Sequence, residues 1–368
     1  MKRLTGFSLT ELLLAMVIGL VVLLGIAQIF ISTKGANALL VAEAELQENA
    51  RFAFSSMTSI IQQTAHFGCR TSSQLTTQSL LNFNEQTFQP WRAIEGWEAA
   101  GTQHGSTYQT ALNQVVLNTP NTHWSNASTA VLDTGIEAVK DSDIVKVWYA
   151  SAQRSHLTAL TKDRISFAGL DLEQGDIVVL NDCKGVTFAQ VCRCEDSDSI
   201  ACMGLDTQAD ISVSGCSLPG NKAWNPNTVS LATAEISILR EAVFFVGKRD
   251  NQTAKPPSLF MHRLGQDGKL GEREEIMEGV ESVQILYGED YNNDQSPDTY
   301  LDASRVSQWE NVVSLRVSLL LRSRKNNLVP SNAKVYFNGA TVSLASGDHH
   351  LRRVYTSTIS LRNRNIGY

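Results

Sequence analysis

Residues 12–33 read LLLAMVIGLVVLLGIAQIFIST and carry no formal charge over 22 positions. As a helix rising 1.5 Å per residue they extend about 33 Å, enough to cross the roughly 30 Å hydrocarbon core of a bilayer. Upstream stand Lys2 and Arg3, then Gly6, Phe7 and, at the head of the apolar run, Glu11. A cleaved secretory signal does not fit. Such signals have an apolar region of roughly 7–15 residues followed by a small-x-small site, to which Ala27-Gln28-Ile29 is a poor match. A plain anchor accounts for the length but not for Glu11, since a carboxylate inside a bilayer costs at least about 2.5–3.5 kcal/mol and is usually partnered.

A cut between Gly6 and Phe7 would supply the partner. It would leave an α-amine on Phe7, four residues before Glu11. In a stack of identical helices, the amine of one subunit meets Glu11 of its neighbour. Opposite charges attract strongly where water is excluded, so the pair would set axial register.

No proline occurs before Pro90, so nothing of that kind breaks a long helix. Beyond Lys34, the residues Leu39, Ala42, Leu46, Ala50, Ala53, Met57, Ile60 and Thr64 step by three or four, while Glu43, Glu45, Gln47, Glu48 and Arg51 lie mainly elsewhere on the wheel. This spacing predicts one helix from about Phe7 to His66, its second half burying a single stripe. Gly68 is the expected stop.

From Cys69 onward, apolar runs alternate with Gly, Pro, Asn and Asp clusters, as in strands separated by turns. Strands are expected at Asp143–Tyr149, Asp176–Leu180, Ile236–Val246, Ser258–Arg263, Val283–Tyr287, Val312–Leu321, Ala333–Phe337 and His350–Leu361, with a short helical turn at Glu274–Glu278. One long helix followed by antiparallel strands is an α+β arrangement. The chain of 368 residues, with 43% hydrophobic and 18% charged residues, has material for a sizeable core. Its net charge of -6 argues against nucleic acid bound through bulk charge.

Gly6-Phe7-Ser8-Leu9-Thr10-Glu11, with Lys2-Arg3 before it and an unbroken apolar helix after it, resembles the class III leader of type IV pilins and pseudopilins. The later blocks Gly175–Cys183 (GDIVVLNDC), Gly279–Gly288 (GVESVQILYG), Trp309–Ser323 (WENVVSLRVSLLLRS) and Leu351–Tyr355 (LRRVY) resemble the type IV pilus assembly protein PilW family. The resemblance implies a pilin-like fold, a long helix packed on an antiparallel sheet. It implies cleavage after Gly6 by prepilin peptidase, methylation of Phe7 and an assembly role for Glu11. The partners it implies are other minor pilins and the major pilin, met through the helix, and the inner-membrane assembly machinery. The expected division is a leader at 1–6, a membrane helix at 7–33, its amphipathic extension at 34–66 and a β-rich domain at 67–368. That domain would hold an insertion at 70–140 and a Cys-rich region at 183–216; segment 70–140 and the stretch from Cys192 to Cys216 lie outside the resemblance. The expected role is priming of pilus assembly or a place at the pilus tip. A pseudopilin of a type II secretion system and a tip adhesin are the alternatives.

Lys2 and Arg3 favour a cytoplasmic N-terminus, which puts the remainder in the oxidising periplasm. The even set Cys69, Cys183, Cys192, Cys194, Cys202 and Cys216 then reads as disulfides. Zinc is disfavoured because Cys192 and Cys194 are separated by one residue and no histidine lies between His156 and His262. Cys69 with Cys183 would tie the helix end to the sheet. Asp290, Asn292, Asp294, Ser296 and Asp298 place oxygens at alternate positions, a partial calcium loop. It departs from the EF-hand pattern at Gln295, Leu301 and Asp302. No G-x-S-x-G, H-E-x-x-H, P-loop or dinucleotide motif is present, so no enzyme is expected and no cofactor beyond calcium.

Overall fold

A computed structural model describes residues 8–68, 76–81, 89–105, 115–116, 123–126, 135–161, 164–191, 200–202, 225–249, 256–265, 270–330, 333–342 and 347–364. The leader and the Gly6/Phe7 bond lie outside these residues.

One helix, α1 (Leu9–Ile61), opens the described chain. Its 53 residues make a rod of about 80 Å. It ends earlier than Gly68. Ala65 turns into the left-handed region at φ 64°, and its N–H donates to Trp148 O at 3.1 Å. Asn363 Nδ2 donates to the carbonyls of Gln62 and Thr64 at 3.0 and 3.2 Å. The carbonyls of Thr58, Ile60 and Ile61 accept the N–H groups of Gln62, Gln63 and Thr64, and distant parts of the chain hold the turn that follows, where a local glycine cap was expected. Gly68 has another job. With φ at 138°, it lets the backbone pass directly over Asn181, where a Cβ would collide with the side-chain amide.

The described strands are β1 (Thr76–Ser79), β2 (Ile94–Ala99), β3 (Val115–Val116), β4 (Trp124–Ser125), β5 (Ala138–Val139), β6 (Ile144–Leu160), β7 (Arg164–Phe167), β8 (Ile177–Asn181), β9 (Gly185–Gln190) and β10 (Ile200–Cys202). After them come β11 (Glu235–Gly247), β12 (Ser258–Leu264), β13 (Leu270–Glu278), β14 (Val280–Glu289), β15 (Thr299–Leu301), β16 (Val312–Arg322), β17 (Val335–Phe337), β18 (Ala340–Val342) and β19 (Arg352–Ser360). Eleven form a large sheet along the path β1-β9-β8-β11-β6-β2-β4, with β12 and β13 continuing from β11, and β7 and β10 from β6. Four form a second sheet in the order β15-β14-β16-β19. Pairing is antiparallel except between β1 and β9.

All eight expected strands are present, several of them longer than expected, but Glu274–Glu278 is not helical. It belongs to β13, whose register against β12 places Glu274 opposite Met261 and Glu275 opposite Phe260. Ion pairs of Glu274 with Arg263 at 3.2 Å and Glu275 with Arg249 at 2.5 Å accommodate the acids. Segment 70–140 supplies β1, β2 and β4 to the large sheet, and all six residues of β2 are buried.

The principal core joins both sheets to the helix. Ala42, Leu46, Ala50, Ala53, Met57 and Ile61 are buried on α1, packed with Val145, Phe244, Leu259, Ile285, Leu315 and Val317 among others. Leu39 and Ile60 pack at the edge of this cluster. Three alanines on the buried stripe bring the helix axis close to the strands, and burying Leu46 and Met57 contributes roughly 1.5–3 kcal/mol each.

Candidate functional site

The decisive geometry lies along α1. From Leu12 to Ile31 the large apolar side chains are more than half exposed, while the second half of the same helix buries its stripe against the sheets. The window suited to a membrane is wholly unburied. A soluble protein does not leave so long an apolar surface uncovered. The helix therefore divides into a bilayer-compatible half and a docked half with no break between them.

Glu11 stands at the start of this rod in a capping box. Ser8 is the N-cap, and its Oγ accepts the Glu11 N–H at 3.2 Å while Glu11 Oε2 accepts the Ser8 N–H at 2.9 Å. Two of the helix's otherwise unsatisfied donors are thereby met. The capping role was legible in the Ser-x-x-Glu spacing and passed unnoticed there. It gives Glu11 a local reason to exist in addition to any partner. Both side-chain contacts to Ser8 use Oε2.

The Leu351–Tyr355 block carries two arginines that the sequence did not single out. Arg352 points into the protein, where Nε and Nη2 donate to the Glu281 carboxylate at 2.6 and 2.9 Å. Its Nη2 also donates to Asp348 at 2.6 Å. Burial raises the Asp348 carboxyl, but the bonds from Arg352 and the His350 backbone outweigh it and leave the group at about 2. Arg353 points the other way and forks onto Glu43 of α1 at 2.7 and 2.8 Å. Alternation along β19 thus ties the second sheet inward through one arginine and to the helix through the next.

The Asp290 loop turns its carboxylates inward. Asp290 accepts the amides of Asn292, Asn293 and Gln295 at 3.2, 2.7 and 2.8 Å. Asp294 accepts from the Ser296 amide and Asp298 from the Tyr291 amide, both at 2.8 Å. Asn292 Nδ2 donates to Asp294 and Asp298 at 3.2 and 3.3 Å. Gln295 takes a φ of 72°, the conformation that a glycine was expected to provide. Asp302 is buried on Ser304 and Arg305 and does not join the loop. Among the described residues no group of three His, Cys, Asp or Glu is arranged to hold a metal.

Cys183 is disulfide-bonded. The side chains of Cys69, Cys192, Cys194, Cys202 and Cys216 lie outside the described residues and side chains. His349 and His350 lie in the loop before β19, which begins at Arg352, two residues later than the expected start at His350. Their Nδ1–H groups donate to Val329 O at 3.0 Å and Ser323 O at 2.8 Å, which gives both rings structural employment.

Residues 243–363 match the PilW family, described as type IV pilus-assembly protein W. The match covers about a third of the 368 residues. No curated protein and no solved structure matches the chain. The PilW region takes in the end of β11, the β12–β13 hairpin, the whole second sheet and Asn363. It therefore contains Arg352 and Arg353, the Asp290 loop and much of the surface on which α1 docks. Its assignment to type IV pilus assembly agrees with a chain whose single long helix is apolar and exposed at one end.

Proposed function

We propose that the protein is a minor pilin-like subunit of a type IV pilus. In this reading it is cut by prepilin peptidase between Gly6 and Phe7, methylated on Phe7, and held in the inner membrane by α1 with its head in the periplasm. It then joins other minor pilins and the major pilin to prime the filament or cap its tip. The observation that carries the reading is the two-part helix, exposed and apolar from Leu12 to Ile31 and docked from Ala42 to Ile61. The pilus-assembly family matched at 243–363 favours a pilus over the secretion-system alternative. A head of this bulk is easier to place where no subunit must pack above it.

Glu11 fits the assembly role because Oε2 is held by Ser8 in a capping box that survives removal of residues 1–6. The carboxylate would wait in a fixed orientation for the α-amine of a neighbouring Phe7. The test is the first residue of protein purified from cells that trim such leaders. Phe7 supports the reading, and retention of Met1 overturns it.

Calcium is proposed for the Asp290 loop as a separate matter. Asn292 Nδ2 draws Asp294 and Asp298 together, while Asp290 is held by backbone amides, so an ion would have to displace these bonds to gather the three carboxylates.

A further inference from the structure

Behind the helix the two sheets meet at a seam formed by the residues before β6. Asp143 N–H donates to Val283 O at 2.8 Å, and Val283 N–H donates to Ser142 Oγ at 3.0 Å. The Asp143 carboxylate accepts from Ala99 N–H of β2 at 2.9 Å and from Ile285 N–H of β14 at 2.8 Å. Three carboxyls are sealed into this seam: Glu98 is 1% exposed, Asp143 2% and Asp302 0%.

Their surroundings are unequal. Asp143 receives two backbone amides. Asp302 receives the Ser304 hydroxyl at 2.5 Å and the Arg305 guanidinium at 2.7 Å. Glu98 accepts the Thr102 hydroxyl at a long 3.3 Å and a hydrogen bond from the Ala303 backbone N–H, which together do not offset its burial. The charged groups that act on Glu98 are Asp143 and Asp302, both of the same sign as its own ionised form. From β14 the Tyr287 hydroxyl faces Asp143 and Glu98, fully buried and without a hydrogen-bond partner. The near cations are directed elsewhere. Arg92 pairs with Glu95, Arg305 with Asp302, and His123 before β4 acts on Asp141.

Three neighbouring ionised carboxylates cannot share a dry seam on these terms, because desolvation and mutual repulsion both favour protonation. We propose that Glu98 is the proton-holding member of the cluster, a neutral acid that latches β2 to the loop after β15, and that its ionisation in alkali loosens the join between the two sheets. As a carboxylic acid it has an O–H to offer to an acceptor-only cluster. Asp143 and Asp302 remain the acceptors. The latch crosses the boundary of the PilW region, since Glu98 and Asp143 precede residue 243 while Tyr287 and Asp302 follow it. It stands whether or not the chain is a pilus subunit.

The electrostatics agree. Burial first, then the charges of Asp143 and Asp302, push Glu98 up to about 10, and burial pushes Asp143 up to about 8. A group raised on folding stabilises fully below its unfolded value. That contribution drains away as pH climbs through the folded value.

The experiment uses the full chain in detergent with isotope-labelled glutamate. Infrared spectra and thermal melts are recorded from about pH 5 to about pH 10. We expect a protonated glutamic-acid carbonyl band at neutral pH that vanishes in Glu98→Gln. The melting temperature of the unmodified chain should fall as pH rises above neutral, and that of Glu98→Gln should fall less steeply, keeping only the share of Asp143, which burial raises by itself. A glutamate pool fully ionised at neutral pH overturns the proposal, and so does an unaltered slope in the variant. Should Glu98→Gln not fold, Asp143→Asn decides. Removing that neighbouring charge must move loss of the labelled band to lower pH, and a band that does not move overturns the latch.

Discussion

Glu11 Oε2 accepts the Ser8 amide hydrogen at 2.9 Å while Ser8 Oγ accepts the Glu11 amide at 3.2 Å. This reciprocal pair lets the cap and the charge be separated experimentally. Glutamine also serves at this position of a capping box, so Glu11→Gln keeps the cap and removes the charge. Membrane insertion of Glu11→Gln should match the unmodified protein while its recovery in sheared filaments drops at least several-fold. Ser8→Ala should weaken the cap by about 1 kcal/mol and leave incorporation nearly intact. Equal filament recovery of Glu11→Gln and the unmodified chain would remove the register argument.

The disulfide partner of Cys183 should be Cys69. Asn181 Nδ2 donates to Phe67 O at 2.7 Å, Asn181 Oδ1 accepts the Cys183 amide at 2.8 Å, and Gly68 passes over the same side chain. The chain on either side of the proposed bond is thus already held together. Closing a loop of about 100 residues stabilises by roughly 4–5 kcal/mol in the chain-entropy view. Non-reduced peptide mapping should yield a Cys69–Cys183 peptide. A Cys183 peptide linked to Cys192, Cys194, Cys202 or Cys216 would refute the pairing.

Arg352 is 4% exposed and holds Glu281, itself 0% exposed, with two bonds. Arg352→Met leaves the buried Glu281 with Arg322 at 3.4 Å as its remaining cation, and urea denaturation should register a loss of about 3 kcal/mol, the low end for a broken buried pair. Asp348 adds a pH signature. Its carboxyl lies at about 2 in the folded protein, below the ordinary value of about 3.9. Its contribution is therefore present above the ordinary value and is lost as pH falls toward about 2. Asp348→Asn should flatten the acid limb of stability in that window, and an unchanged limb would count against the bond to Arg352.

Calcium titrated into the full chain in detergent should release heat and raise the melting temperature. Asp290→Asn should abolish both responses if the loop takes the ion. Binding that persists in this variant would place the ion elsewhere. No heat at millimolar calcium would leave the loop a self-satisfied turn.

The long helix was legible because its signal is local and repeated: an uncharged run, then apolar residues every third or fourth position to Met57. Its end was not, because Asn363 and Trp148 hold the turn that follows it from far along the chain. Val312–Arg322 was legible as a near-continuous apolar strand. Ile94–Ala99 (IEGWEA) was not, since its acids and glycine read as surface, whereas Gly96 sits tight against Tyr287 and Glu98 is enclosed by Asp143 before β6 and by Asp302 and Ala303 after β15. The Leu270–Glu278 strand was obscured by glutamates that favour helices in isolation, a preference overridden by pairing with β12. The uncharged apolar run of α1 could be read directly, while the roles of Arg352 and Arg353 emerge only when β14 and α1 are brought beside β19.

From Leu9 to Ile61 no hinge separates the greasy end of α1 from the end clamped by Asn363. Tension applied to the head would therefore pass undamped to the exposed apolar end of the helix. Withdrawal of such a subunit would proceed as axial sliding of a stiff shaft, with the grip of the strands on Ala50, Ala53 and Met57 bearing the pull.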